Sequence, residues 1–393
     1  MARRRMEDAG AVVVGGDYQG LGIARSLGRR NVPVCVIDDE RSIARFSKYT
    51  THSVRVSNLR EEDQTIRALL DTGRRLNLQG WVLYPTRDET VAALSRHREE
   101  LKKFYRVPTP EWSAIQWAWD KRNTYQMAER LGIPTPRRWT ITDVEELAGL
   151  DLRFPVAIKP AIKEHFFYAT KVKAWRANSL PELKDLFSLA ARHVGAAEVI
   201  VQELIPGDGH QQFSYCAFFK KDRTIASMVA RRARQHPVEF GRASTFVKTT
   251  EIPLLEEMSA RFLKAIDYYG LVEMEYKLDA RDGRYKLLDV NARTWGYHSL
   301  GCAAGVDFPY LLYADQLELP VEEGRGRPNI SWIRLLTDLP TSLGEMVTRR
   351  INWRDYIGSI WNADAEAVFT RDDFLPGIVE LLLLPYLVAR KGF

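Results

Sequence analysis

Tyr285-Lys-Leu-Leu-Asp-Val-Asn-Ala-Arg293 is an apolar strand broken by one carboxylate and one carboxamide. Leu271-Val-Glu-Met-Glu-Tyr-Lys-Leu-Asp279 lies just upstream, across Ala280-Arg-Asp-Gly283. Together they read as a hairpin. A three-residue loop Arg281–Gly283, with Gly283 in the left-handed position such loops favour, places Ala280 opposite Arg284 and therefore Glu275 opposite Asp289. Side chains alternate along a strand, so Asn291 falls on the same face, and cross-strand neighbours ~5 Å apart are close enough to share a hard cation. Glu273 shares that face as well, and parity leaves Glu273 and Glu275 both open. Two carboxylates and an amide oxygen suit magnesium carrying phosphate oxygens. A solvated hairpin face is the competing reading, and Leu287, Leu288 and Val290 weigh against it because they call for burial.

The chain around this hairpin has 393 residues, enough for two or three lobes, since single cores stop growing near ~250 residues. The balance of 57 Lys+Arg against 51 Asp+Glu suits an anionic small substrate as readily as a nucleic acid. The dense basic runs are Ala2-Arg-Arg-Arg5 and Arg231-Arg-Ala-Arg234, without the aromatic interleaving that stacks bases, so no nucleic-acid partner is expected. Cys35, Cys216 and Cys302 are far apart and lack metal-ligand spacing, which argues against a disulfide framework and a zinc site and for a cytoplasmic chain. Arg3–Arg5 imitates the start of a secretory leader, but the apolar run Ala11–Val14 after it is too short for one.

Ala11-Val-Val-Val-Gly-Gly16 predicts a buried parallel strand entering a glycine turn, then a helix over 19–30 and a strand over 33–38, which make a βαβ unit. Helices over 61–76 and 88–104 flank a strand over 80–84. Val107-Pro-Thr-Pro110 marks a boundary, and the helical pattern 112–131 is stopped by Gly132-Ile-Pro-Thr-Pro136. From Phe154 onward strands dominate: 154–159, 170–175, 198–204, 213–219, 224–230 and 246–252, with helices over 180–193, 254–269 and 308–317. The expected division is a Rossmann-like α/β lobe over 1–110, an α+β lobe over 111–320 and a carboxy-terminal extension over 321–393.

Gly15-Gly-Asp-Tyr-Gln-Gly-Leu-Gly22 follows a strand and opens a helix, with Asp38 some twenty residues on, the context of a dinucleotide fingerprint. Its spacing is wrong, because Asp17, Tyr18 and Gln19 stand where backbone should touch a pyrophosphate. A structural or substrate-side turn is the expectation, and an NAD(P)-dependent oxidoreductase is the alternative.

Lys159 lies on the apolar strand Val156-Ala-Ile-Lys-Pro160, where a lysine normally has an anionic partner. Asp120-Lys121 sits on a helix, and Val199-Ile-Val-Gln-Glu-Leu-Ile-Pro-Gly207 is an apolar strand ending in a turn. Taken in order with the acidic hairpin, these segments resemble the ATP-grasp superfamily over nearly the whole chain. Asp120-Lys121 resembles its first lysine motif, 154–160 its phosphate-binding lysine strand, 202–207 its adenine hinge, and Asp289-Val-Asn-Ala-Arg293 its metal and arginine signature. The branch it resembles is that of carboxylate-amine ligases similar to D-aspartate ligase, given Gly20-Leu-Gly-Ile-Ala-Arg-Ser-Leu27 and Asn291-Ala-Arg-Thr-Trp-Gly296.

The resemblance implies a pre-ATP-grasp lobe followed by an ATP-grasp fold with antiparallel sheets, and an enzyme joining a small carboxylate to an amine with ATP and magnesium or manganese. Lys121 and Lys159 would hold triphosphate oxygens, and Gln202, Glu203, Leu204 and Ile205 would line the adenine slot. Glu275, Asp289 and Asn291 would hold the metal, and Arg293 would steady an acyl phosphate and the adduct formed from it. Two departures stand out. Asp289 replaces the family's usual glutamate, shortening the reach by a methylene, and the loop Ala161–Thr170 lacks the glycines that let such lids fold over phosphate; a nucleotide binder without turnover is therefore a further alternative. Lys171 or Lys173 would add a phosphate contact. Arg231, Arg232 and above all Arg234 are candidates for the acid substrate, and His165, His210 and His298 read as structural. Phe374–Ala389 is apolar but shorter than the ~20 residues of a span and interrupted by Pro376, Glu380 and Pro385. It packs on the body or makes a peripheral membrane contact with Arg390 and Lys391 at the headgroups. An oligomer is compatible with all of this.

Overall fold

The computed structural model describes residues 9–207, 209–237, 240–241, 243–349 and 351–391, the side chains of Arg390 and Lys391 excepted. The basic run Ala2–Arg5 and the headgroup role of Arg390 and Lys391 lie outside the described residues.

The amino-terminal sheet has four parallel strands in the order β3-β2-β1-β4: β1 Ala11–Val14, β2 Val34–Asp38, β3 His52–Arg55 and β4 Val82–Pro85. Every residue of β1, β2 and β4 is buried, as expected of short β-branched strands covered on both faces. Helices Tyr18–Gly28 and Glu62–Leu76 cover them, and the helix expected over 88–104 breaks at His97 into Asp88–Arg96 and Arg98–Leu101. The helical pattern over 112–131 likewise breaks at Asp120, whose carboxylate accepts from the Arg122 amide at 2.9 Å and so caps a new helix, Lys121–Arg130.

The second sheet has the order β5-β8-β6-β7, all antiparallel: β5 Arg138–Thr140, β6 Val156–Pro160, β7 Trp175–Ala177 and β8 Val199–Glu203. Its core is its own, built from Val156, Ile158, Phe166, Leu183 and Phe187. The expected loop over 161–170 is instead largely a helix, Lys163–Thr170. Phe166 supplies the reason: it is fully buried, with its ring 4.7 Å from Trp175, and the helix stops where Lys171 takes φ +62°.

The large sheet follows the order β13-β12-β9-β10-β11-β15-β16: β9 Gln212–Lys220, β10 Arg223–His236, β11 Ala243–Thr250, β12 Gly270–Asp279, β13 Arg284–Asn291, β15 Ser331–Ile333 and β16 Ala365–Glu366. The short strand β14 Gly324–Arg325 pairs with β10. One face packs with the amino-terminal sheet in a shared core containing Val13, Val36, Tyr84, Phe218, Trp295 and Trp332. The other face carries Tyr276, Leu287 and the helix Pro253–Ala265.

The hairpin departs from the expected register in two compensating ways. Asp279, not Ala280, stands opposite Arg284, so the connection has four residues, with Gly283 at φ +68°. A bulge then lets Leu288 and Asp289 together face Glu275, restoring the pairs Glu275 with Asp289 and Glu273 with Asn291. The bulge also explains how Leu287 enters the core while Leu288 and Asp289 both line the cleft beyond it.

The segment 374–389 folds as two short helices, Leu375–Leu382 and Leu384–Lys391. Among the described residues no helix is long and apolar enough to cross a membrane.

Candidate functional site

A cleft of about 1080 Å³ opens between the antiparallel sheet β5-β8-β6-β7 and the large sheet. Lys121, Lys159, Gln202–Ile205, Glu275 and Asp289 all line it, as do Lys173 and Arg232. The reason is topological. Strand β6 presents Lys159, β8 runs beside it and ends in the turn Glu203–Gly207, and the hairpin β12–β13 supplies the opposite wall.

On the hairpin wall, Lys121 pairs with Asp289, and Arg232 Nη2 lies 3.2 Å from Glu275 Oε2. Asn291 Nδ2 donates to Glu275 Oε1 at 3.0 Å and to Glu273 Oε2 at 3.1 Å. Glu273 and Glu275 are thereby distinguished. Burial pushes the Glu273 carboxyl up, it accepts from Tyr297 at 2.5 Å, and it does not reach the cleft. Burial would push Glu275 up too, but Arg232 and Lys173 outweigh it and hold the carboxyl at about 2, ionised and facing the cleft.

The donor set suits a hard cation: two carboxylates and the Asn291 amide oxygen, all oxygen ligands on one face. Among the described residues no three His, Cys, Asp or Glu side chains cluster as metal ligands, and here the third donor is the amide. Each of these oxygens is answered by positive or donor groups, since Arg293 Nη2 donates to Asn291 Oδ1 at 3.1 Å. A small cavity of about 20 Å³, room for one water-sized occupant, adjoins Lys121, Lys163, Asp289 and Asn291.

On the lid side, Lys159 donates to the Tyr125 hydroxyl, which is also bonded to Gln202 and to the Leu288 carbonyl at 2.9 Å. Burial first, and Lys121 second, pull the Lys159 amine down to about 7. Burial likewise lowers Lys173 to about 8, against the attraction of Glu275. These are cations held close together in a partly dehydrated cleft, the arrangement that a polyanion relieves. Lys171, by contrast, turns to the Tyr168 carbonyl.

The hinge is braced from outside. Lys277 Nζ donates to the carbonyls of Ile205 at 2.9 Å and Gly207 at 2.8 Å, tying the turn to β12. The Glu203 carboxylate is held by Arg281 at 2.7 Å, Lys286 at 3.0 Å and the Arg137 amide at 2.8 Å.

Two arginines sit elsewhere than the sequence suggested. Arg293 grips Asp88 with both Nε (2.6 Å) and Nη2 (2.9 Å), and Lys163 reaches the same carboxylate at 2.6 Å. Asp88 opens a helix of the amino-terminal lobe, so this triad joins that lobe, the lid helix and the hairpin. Arg234 does not face the cleft: it makes a two-pronged ion pair with buried Asp338 at 2.9 and 2.8 Å, because a bulge after Arg232 turns the strand. Arg232 is the arginine of that run that reaches the acids, and Arg231 bonds the His210 carbonyl. Tyr125, Lys163 and Asp88 had no local signal; their partners lie 34 to 205 positions away.

The glycine turn is filled by protein. Gly16 donates its amide to Asp38 at 2.6 Å, and Arg87 takes the other Asp38 oxygen at 2.9 Å. A Cβ on Gly15 would meet Thr86 Oγ1 at 2.1 Å and one on Gly16 would meet Ser42 Oγ at 2.5 Å, so both glycines serve close packing. Asp38, the residue a dinucleotide ribose would need, is fully engaged, and the dinucleotide alternative is not favoured.

No family model matches the chain. It is similar to D-aspartate ligase of Enterococcus faecium (strain Aus0004), 23% identical over 299 residues that cover 72% of this chain and 70% of that protein. Its fold is similar to that of an L-amino acid ligase from Bacillus licheniformis, with a TM-score of 0.60 at 15% identity over 80% of this chain and 75% of that one. It is also similar to the biotin carboxylase domain of the Hydrogenobacter thermophilus 2-oxoglutarate carboxylase, solved with MgADP, with a TM-score of 0.66 at 16% identity over 82% and 73% of the two chains. With the lysine strand, the turn after β8 and the acidic hairpin ordered around one cleft, the chain is thus similar to D-aspartate ligase in sequence, and its fold is that of the ATP-grasp proteins.

Proposed function

We propose that the chain activates a small carboxylate with ATP as an acyl phosphate and passes the acyl group to an amine, releasing ADP and phosphate. The observation that carries this is the convergence of Lys121, Lys159 and Lys173 with Glu275 and Asp289 in one cleft whose far wall is Gln202–Ile205. In this reading the parallel lobe ending near Pro110 is the Rossmann-like pre-ATP-grasp domain, 111–320 is the ATP-grasp domain with its lid over about 137–205, and 321–393 is an extension.

The adenine lies against Gln202–Ile205, whose turn Lys277 keeps rigid. Lys159 and Lys173 hold the triphosphate, and Lys121 exchanges Asp289 for a phosphate oxygen. Glu275, Asp289 and Asn291 would hold magnesium or manganese, which when bound would screen the charge that develops on the transferring phosphoryl group. A carboxylate oxygen of the acid substrate attacks the γ-phosphorus as the bond to the β–γ bridging oxygen breaks and ADP leaves. The amine then attacks the acyl carbon, phosphate departs, and the amine loses its proton. Arg293, released from Asp88, steadies the acyl phosphate and the tetrahedral adduct. Arg232 is the guanidinium best placed to meet the acid, and the lid keeps water from the intermediate.

Two of the relatives above, D-aspartate ligase and the L-amino acid ligase, are ligases of amino acids by name, so amino acids head the substrate screen. With magnesium-ATP, the right acid should give ADP and inorganic phosphate, and hydroxylamine should trap a hydroxamate without the amine. Arg293→Ala should lower both hydroxamate and amide yields. Stoichiometric AMP and pyrophosphate would overturn the acyl-phosphate route while leaving the fold intact.

A further inference from the structure

The helix Leu335–Val347 is built inside out. Its buried positions are Thr337, Asp338, Thr341, Ser342 and Glu345, while Leu339, Leu343 and Val347, each one turn apart, are 49%, 52% and 84% exposed. The next helix, Trp353–Trp361, repeats the pattern: Tyr356 is buried, and Trp353, Ile357 and Trp361 are 59%, 43% and 83% exposed at the same four-residue spacing. In Leu375–Leu382, Glu380 is buried while Leu375, Ile378, Leu381 and Leu382 are exposed. A helix on a protein surface ordinarily turns its apolar stripe to the core. Single exposed leucines need no explanation, but three helices in sequence with reversed polarity do.

Buried ion pairs fix this orientation. Arg234 binds Asp338, donates to Ser359 Oγ at 3.1 Å and stands 5.3 Å from the Tyr356 ring, so one guanidinium clamps two of the helices to the end of β10. Arg334 donates to Glu380 at 2.8 Å and docks the third. With their polar sides tied inward, the apolar sides face out.

We propose that these three helices form a surface that docks on an anionic lipid bilayer. Two large indoles stand exposed among leucine and isoleucine, the composition of an interfacial contact. Arg349, Arg354 and Arg371 are exposed and have no ion-pair partner among the described residues, and the Arg354 guanidinium lies 5.4 Å from the Trp353 ring. Against them stands Asp355, the single exposed carboxylate on the three helices among the described residues. A second copy across a two-fold axis would set one arginine-bearing patch against another of the same sign, whereas anionic headgroups neutralise the arginines. No described helix is long enough to cross a bilayer, so the contact lies in the interface.

The test is flotation of the full chain with phosphatidylcholine vesicles and with vesicles that also contain phosphatidylglycerol. The chain should float with the anionic vesicles, less so in high salt, and weakly with the neutral ones. Leu343→Ser with Trp361→Ser should weaken partitioning by about tenfold per side chain. It should leave the circular-dichroism melt unchanged, since the two side chains are half or more exposed. Arg349→Ala with Arg354→Ala should weaken binding to the anionic vesicles only. A chain that stays in the aqueous fraction with both vesicle types would overturn the proposal. So would light scattering that shows a dimer dissolved by the serine substitutions, because the occupant would then be a second copy.

Discussion

Lys159 carries its charge into a place that resists it. Burial and Lys121 hold its amine at about 7, so near about pH 8 it is largely neutral in the ligand-free protein. A triphosphate beside it favours the charged form and raises its proton affinity. Nucleotide binding near that pH should therefore take up a proton, visible in calorimetry as a dependence of the apparent enthalpy on the buffer's ionisation heat, and Lys159→Met should remove most of that dependence. Lys159→Ala should fold yet lose roughly a hundredfold or more in ADP release, the cost of a preorganised contact to a transferring phosphoryl group. A variant with the parental rate would remove Lys159 from the machinery. Its candidacy was readable from the sequence, because a lysine among Val156, Ala157 and Ile158 asks for an anion, and the structure sets it in the cleft. Its clamp on Tyr125 was not, because nothing near Lys159 in the chain hints at a tyrosine 34 positions earlier.

The hairpin shows how two errors of local reading can cancel. Its turn is one residue longer than Arg281–Gly283 suggests, and the bulge at Leu288 restores the pairing of Glu275 with Asp289. Alternation carried the acidic face, since a sheet with a buried side tolerates no slip there. The bulge itself has no sequence mark. The triad Asp88, Arg293 and Lys163 ties this hairpin to two other elements, and its strength is measurable. Burial would raise the Asp88 carboxyl, but Arg293 and Lys163 override it and hold it far below the usual carboxylate range. A folded-state value below the unfolded one means that the stabilisation is present above the ordinary carboxylate range, near ~3.9, and is lost as pH falls below it. Asp88→Asn leaves two cations facing each other and should cost roughly 2–3 kcal/mol near neutral pH, the low side for a buried pair because 19% of the Asp88 side chain remains exposed. Urea unfolding of the two proteins should converge as the pH is lowered through that range. Equal stability near neutrality would show that the triad contributes nothing to the fold.

For the molecule as a whole, nucleotide choice follows from where the space is. The cleft of about 1080 Å³ lies between lid and large sheet, whereas the glycine turn is packed by Thr86, Ser42 and Asp38. Calorimetry should show saturable binding of magnesium-ATP and none of NAD or NADP. Micromolar NAD affinity lost on Gly16→Val would reverse that conclusion. The order of lysine strand, hinge and acidic hairpin was legible because each motif is local: a charge set in an apolar strand, a turn after a strand, alternating polarity across a short loop. What the chain alone decided was therefore which residues are candidates for phosphate and metal chemistry, and the elements on which they ride into the cleft. Folding decided which of several equivalent residues is used. Glu275 rather than Glu273 faces the cleft because Tyr297 and Asn291 hold Glu273 in the interior, and Arg232 rather than Arg234 meets the acids because Asp338, 104 positions on, captures Arg234. Those outcomes depend on partners that only long-range packing brings within hydrogen-bonding distance, so no window of sequence contains them.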